Sequence, residues 1–293
     1  MSDFDSVRAM LAAAEAAATP LWELILTSSA REAGIDKRTS MDMMALRLAA
    51  MRDAGRSYDP GQCSSSGLSG GDAERMRQYV RSGDSLCGDF IGDVLTMALR
   101  MGECNACMHR IVAAPTAGSC GVIPAVLLPY AERFAVSDEE LIKALYIAAG
   151  FGMVIAERAS ISGAEAGCQA EIGTASAMAA AALCFLRGGD GGAMANAVAF
   201  ALKNLMGLVC DPVAGLVEVP CVKRNAGGAM NALTAAELAL AGIESRIPAD
   251  EVIDAMGAVG AAMPAELRET GRGGVAASPT AVEFRRRFFG ESN

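Results

Sequence analysis

Apolar positions recur at helical spacing along most of the chain. Residues 4–18 are Ala-rich, residues 22–33 repeat apolar side chains every three or four positions, and residues 40–54 follow a Thr-Ser pair suited to a helix start. Gly, Pro and Ser then crowd residues 58–72 (YDPGQCSSSGLSGGD), which predicts a loop ending at Asp72 as the cap of a helix over 74–81. Residues 88–109 read as helix and 114–124 as a second irregular loop. Ser137-Asp138-Glu139-Glu140 has the form of a capping box leading into a helix over 141–155. A Gly-rich turn, 162–167, precedes a strongly apolar helix over 168–186. After a turn at 188–192 come a helix over 193–205, an irregular segment over 207–220, and helices over 225–241 and 249–262. Strand signals are scarce and no Asn-Gly hairpin occurs. The pattern predicts an all-α, predominantly helical fold. A single domain over 1–293 is expected, with the helical segment 1–55 packed on it.

Composition narrows the function classes. With 52% hydrophobic and 20% charged residues, the chain is too apolar for disorder. Its 34 acidic and 25 basic side chains give a net charge of −9, the wrong sign for a nucleic-acid footprint, and 5% aromatics leave little to stack bases on. The longest uncharged stretch, 111–131, could span a bilayer by length. Pro115, Pro124 and Pro129 with Gly118 and Gly121 interrupt it, so no membrane segment is expected. The acidic start MSDFDSVRAM lacks the basic region of a secretory signal, which points to the cytoplasm. Nine cysteines cannot all pair, and a reducing compartment keeps thiols free.

Three of those cysteines stand in unusual surroundings. Cys168 follows SISGAEAG, and Cys210 and Cys221 bracket DPVAGLVEVP. Each marks a junction between a Gly/Pro turn and a helix, where unpaired N–H groups favour thiolate, and Lys223 and Arg224 add positive charge behind Cys221. Spacing leaves two readings open: small buried hydrophobes, or ligands of a thiophilic metal or cluster. Cys104 and Cys107 form a CxxC, but Met108 intervenes before His109 and no second pair follows, so neither haem attachment nor a zinc site is expected. Glu165, Glu171 and Glu218 lie near the three cysteines in sequence, with capping or ion pairing as their expected roles.

Longer motifs carry more information. SISGAEAGCQAEIGTASAMAAAAL (160–183) and LVCDPVAGLVEVPCVKRNA (208–226) resemble the signature segments of the iron–sulfur-dependent L-serine dehydratase family, large (alpha) subunit. LSGGDA (68–73), YVRSGDSL (79–86), APTAGS (114–119) and LRETGRGGVAASPT (267–280) resemble further blocks of that family in the same order. The resemblance implies deamination of L-serine to pyruvate and ammonia without pyridoxal phosphate, in amino-acid degradation and gluconeogenesis. It also implies a [4Fe–4S] cluster on Cys168, Cys210 and Cys221, with one iron left open as a Lewis acid. A separate small (beta) subunit, and hence a hetero-oligomer or dimer, is implied as well. That subunit contributes histidines near the active site in the family. Some single-chain relatives end in a cysteine that plugs the open iron; this sequence ends FFGESN.

A serine carboxylate needs donors. Ser69, Thr116, Ser119 and Ser162 lie on Gly-rich loops able to offer hydroxyls and N–H groups, and Arg272 could grip a carboxylate with both arms of its guanidinium. Lys223, Arg224 and Asn225 are comparable candidates, or compensate the cluster's charge. His109, the one histidine, has a side chain of suitable pKa for a base, although a satisfied structural histidine is the plainer reading. Two alternatives stay open: a lyase of a related substrate such as L-cysteine, and a cluster-binding subunit inactive without its beta partner. A pyridoxal phosphate enzyme is disfavoured because no lysine stands in a Ser-x-Lys-x-x-Gly setting.

Overall fold

The computed structural model describes residues 4–290; the outermost residues of the sequence reading, MSD at the start and ESN at the end, lie outside it. The helices, in chain order, are α1 (Val7–Ala16), α2 (Leu21–Glu32), α3 (Lys37–Arg56), α4 (Asp72–Arg81), α5 (Gly88–Ala106), α6 (Val122–Phe134), α7 (Asp138–Arg158), the single turn α8 (Gly163–Ala166), α9 (Thr174–Leu186), α10 (Gly191–Leu205), α11 (Cys221–Leu240), α12 (Ala249–Ala262) and α13 (Pro279–Phe289). Among the described residues there is no strand, only an isolated bridge between Cys210 and Arg268. The fold is all-α.

The centre is α9. Every residue from Thr174 to Cys184 is buried, and α6, α7, α10 and α11 surround it. A helix apolar on all sides belongs in a core, and its run of alanines lets four neighbours approach closely. The 18-residue window 169–186 is the one stretch among the described helices long and apolar enough to cross a membrane, and 83% of it is buried inside this protein. Phe4, just before α1, and Val7, Met10, Ile25, Leu26, Leu48 and Met51 from the first three helices join the same buried cluster. At the far end of the sequence, Asp250 of α12 accepts from the Val7 and Arg8 amides at the start of α1.

Helix starts follow local chemistry. Ser137 caps α7 by accepting from the Glu140 amide at 3.2 Å, as the capping box predicts. The third helix starts at Lys37 and is capped by Asp36, ahead of the Thr-Ser pair. Asp72 is the first helical residue of α4 and Gly71 its cap; the free amides of Asp72 and Ala73 are taken by the buried Glu103 carboxylate of α5. Two helices lie where the pattern predicted none. The loop expected over 114–124 yields to α6 at Val122, which continues through Pro129. Pro124 costs no bond because the first turn of a helix has unpaired amides anyway. Residues 122–131 are buried without exception, so burial on every side offsets the bond lost at Pro129. The other, α13, starts with Ser278 as cap and Pro279 at its first position.

Candidate metal centre

Four segments converge beside the N-terminal end of α9. Cys168 follows α8 and Gly167, and the chain then makes one wide π turn, Gln169–Gly173, before α9 begins. The extra residue in such a turn shifts the side-chain register, a device common at functional sites. Here it brings Glu171 between two cysteines: Glu171 Oε2 lies 4.0 Å from Cys168 Sγ and 4.0 Å from Cys210 Sγ. All three ligand atoms fall within 4.8 Å of one another. Cys210 comes from the extended segment after α10; its amide donates to Leu267 O and its carbonyl accepts from the Glu269 amide. Cys221 opens α11, four residues earlier than the periodicity predicts, and interacts electrostatically with Cys168 and Glu171.

Small residues and one cation shape the pocket. A Cβ on Gly163 would stand 2.6 Å from Glu171 Oε2 and 3.0 Å from Cys210 Sγ, so only glycine leaves this wall open. Across the site, α11 approaches the π turn at Gly228, where a Cβ would meet Ile172 Cγ2 at 2.8 Å. Arg224, one turn into α11, donates to Cys168 Sγ at 3.3 Å, to Val209 O at 2.8 Å and to the buried Asp211 carboxylate at 2.8 Å. Asp211 also accepts from the Val275 amide at 2.7 Å, tying the Cys210 segment to the 267–275 strap that runs beside it.

The electrostatics differ from thiol to thiol. A hydrogen bond from Cys210 holds the Cys168 thiol below the usual range, against burial and with help from Arg224. That bond, with burial, pushes Cys210 up. Burial, reinforced by the neighbouring Cys168 and Glu171, pushes Cys221 up to about 12. Burial also raises Glu171, with the neighbouring Thr116 hydroxyl acting in the opposite direction. Glu171 has no ion pair among the described residues, so the capping or ion-pairing role expected of it is corrected: it is a half-buried acid set between two thiols. Glu218 is corrected likewise, because it is buried and accepts from Ser64 Oγ at 2.6 Å and Ser66 Oγ at 2.9 Å, fixing the Ser-rich loop to the Cys210–Cys221 segment. Glu165 accepts from Ser160 Oγ at 2.6 Å.

The other sequence candidates are dispersed. Thr116 and Ser119 bond one another at 3.1 Å and present Thr116 to Glu171. Ser162 stands at the cap position of the turn α8, next to Gly163, and its side chain makes no capping bond. Ser69 is 2% exposed, and its Oγ has no hydrogen-bond partner. Asn225 is a strut: it donates to Gly118 O and Cys221 O and accepts from the Gly121 amide. Lys223 pairs with Asp72 at 2.5 Å. Arg272 is exposed in a groove with Arg285 and Arg286, and it makes no hydrogen bond or ion pair among the described residues. His109 is half-buried, with Nε2 2.7 Å from Gln62 Oε1, anchoring the Ser-rich loop to the end of α5. Glu171 escaped the sequence reading as a site residue, although it stands three residues after Cys168, a spacing that shares one helix face.

The donor set fits a thiophilic iron–sulfur group: three buried thiols from three separate segments, a guanidinium beside one of them, and a wall kept open by Gly163. Sequence relationships agree with the local chemistry. Residues 12–276 match the family described as serine dehydratase alpha chain. The chain is 52% identical over 264 residues to the probable L-serine dehydratase alpha chain of Bacillus subtilis, spanning 89% of this chain and 88% of that protein. It is 48% identical over 223 residues to the L-serine dehydratase alpha chain of Peptoniphilus asaccharolyticus, 76% of each chain. Against the L-serine dehydratase of Streptomyces coelicolor it is 45% identical over 181 residues, 61% of this chain and 40% of that protein. The chain belongs to the serine dehydratase alpha-chain family.

Proposed function

We propose that this chain is the catalytic subunit of an L-serine ammonia-lyase that converts L-serine to pyruvate and ammonia. The observation that carries the reading is the presence of three buried, mutually interacting thiols, Cys168, Cys210 and Cys221, from three separate segments in a chain of this family. These cysteines would hold a [4Fe–4S] cluster. When bound, a cluster with three protein ligands supplies an open iron acting as a Lewis acid on the substrate hydroxyl.

The rest of the reaction falls to the protein. Removal of the Cα proton and loss of water give aminoacrylate, which tautomerises to an imine that water hydrolyses to pyruvate and ammonia. Thr116, Ser119 and Ser162 supply hydroxyls at the pocket's rim, and Ser69 holds a hydroxyl free for a ligand. Arg272 is the unpaired cation on the strap that runs past Cys210, available to the carboxylate. Arg224 offsets thiolate charge, since its donors are already committed to Cys168, Val209 and Asp211. His109 keeps its structural bond to Gln62, and the proton acceptor comes from a separate small subunit. The partial match to the longer Streptomyces coelicolor protein supports such a division of labour. The catalytic subunit works as a single domain in the cytoplasm.

The test is anaerobic reconstitution of wild type and Cys168→Ala, with iron, sulfide and visible absorption measured alongside pyruvate release from L-serine, with and without the small subunit. About four irons per chain, a broad band near about 400 nm, and loss of both cluster and turnover in the variant are expected. Serine turnover by an iron-free chain would overturn the cluster; turnover of L-cysteine in preference to L-serine would overturn the substrate.

A further inference from the structure

The three ligand atoms that meet most closely are two thiols and a carboxylate, and their spacing is that of ligands around a single ion. Around one tetrahedral metal, with bonds of about 2.3 Å to sulfur and about 2.1 Å to oxygen, neighbouring ligand atoms stand about 3.6 Å apart. Cys168 Sγ and Cys210 Sγ each lie 4.0 Å from Glu171 Oε2, and the three atoms fit within 4.8 Å. Cys221 is outside this set. A four-iron cluster spreads its thiolates over different irons and needs them further apart.

We propose that the chain without its cluster holds one thiophilic divalent cation, of the zinc, cobalt or ferrous class, through Cys168, Cys210 and Glu171. Three features support an ion there. Two sulfurs and one oxygen suit borderline-soft divalent metals, and three protein ligands leave the fourth position to water. The Thr116 hydroxyl stands beside the Glu171 carboxylate, where it favours the charged form, and is itself held by Ser119, an outer layer of the kind that orients metal ligands. Gly163 leaves the face toward Glu171 and Cys210 uncovered. The same geometry makes Glu171 a ligand of the lone ion and Cys221 a ligand of the cluster alone, so the two states differ by one residue each.

Cobalt(II) added to the full-length, cluster-free chain tests this, because cobalt–thiolate absorption reports sulfur ligation independently of serine turnover. Wild type should bind about one cobalt per chain with a thiolate-to-cobalt band, and Cys221→Ser should bind it unchanged. Cys168→Ser and Cys210→Ser should lose the band, and Glu171→Gln should weaken binding about tenfold or more. X-ray absorption of cobalt-loaded wild type, which requires no variant to fold, should count two sulfurs at about 2.3 Å. Three sulfurs, equal loss in Cys221→Ser, unchanged affinity in Glu171→Gln, or no bound cobalt would each overturn the lone-ion site. The lyase reading would survive any of those results if the reconstituted enzyme turned over serine.

Discussion

Asn225 offers the sharpest test of how the fold holds the site. Its side chain, 1% exposed, bridges α11 to the loop before α6: Nδ2 donates to Gly118 O at 2.8 Å and to Cys221 O at 3.0 Å, while Oδ1 accepts from the Gly121 amide at 2.8 Å. Asn225→Ala removes all three bonds. Cys221 O keeps the helical bond from the residue-225 amide, so it is not orphaned. Gly118 O and the Gly121 amide lose their side-chain partner in a water-poor place, at about 1–3 kcal/mol each, or about 4 kcal/mol in all. For a chain of this size that corresponds to a melting shift of about 8–16 °C. Asn225→Asp keeps the acceptor for Gly121 but sets a carboxylate against two carbonyls, so it should cost at least as much. The assay is urea unfolding followed by far-UV circular dichroism, with all variants in the same cluster state. Thr234→Ala serves as control: this exposed hydroxyl on the same helix bonds only Met230 O, and its loss should stay within about 0.5 kcal/mol. Because Asn225 joins the Cys221 turn to the loop of Thr116, cluster retention should fall with stability. A loss below about 1 kcal/mol in the Ala variant, or wild-type stability in the Asp variant, would refute the strut.

Other expectations follow from single contacts. In the native cluster-free chain, the exposed Cys63 and Cys87 should react with a thiol reagent, whereas Cys120 and Cys184, buried and held at about 12 by desolvation, should react only after unfolding; mass spectrometry of the labelled peptides distinguishes them. Gly163→Ala drives a Cβ to 2.6 Å from Glu171 Oε2 and should lower cluster retention about tenfold or more with little change in far-UV signal; a fully loaded variant would contradict the open wall. Arg52→Ala breaks the 2.6 Å pair with Asp138, whose carboxyl Arg52 holds below the usual range. With Asp138 65% exposed, the cost should be no more than about 1 kcal/mol. Since the folded-state value is the lower one, that contribution is present above the ordinary carboxylate range and disappears as pH falls through the lowered value; a wild-type-to-variant difference that grew in acid would refute the assignment.

What could be read along the chain was what repeats or caps. Helix α7 announces itself through Ser137 and Glu140, and α12 and the turn before α10 follow from spacing and glycines. Helix α6 was hidden for a physical reason: residues 122–131 are buried on every face, so they carry no polar stripe, and Pro124 and Pro129 imitate a break. The signal for α13 was plain in Ser278-Pro279, a cap followed by a proline at the first helical position, yet that stretch reads first as the end of a loop motif.

The metal centre shows the same divide more sharply. Its three cysteines could be picked out by their Gly/Pro surroundings and by family likeness, because those are properties of neighbouring residues. Glu171 could not be placed that way, since its position depends on the π turn, and one extra residue in a helical turn leaves no mark on apolar periodicity. Arg224 was read as either a carboxylate partner or general charge compensation, whereas its fork joins a specific sulfur, Cys168, to a specific buried acid, Asp211. Arg272, chosen for its chemistry, proved to be exposed and unpaired beside two other arginines. Residue type identifies candidates for a site; the length of one turn and the reach of one side chain decide which of them meet. Lengthening or shortening the π turn by a single residue, by inserting Ala after or deleting Ala170, should therefore disturb Glu171 more than Cys168. Cobalt binding should be lost in both variants, while a variant that kept it would show that the turn does not set the register of the acid.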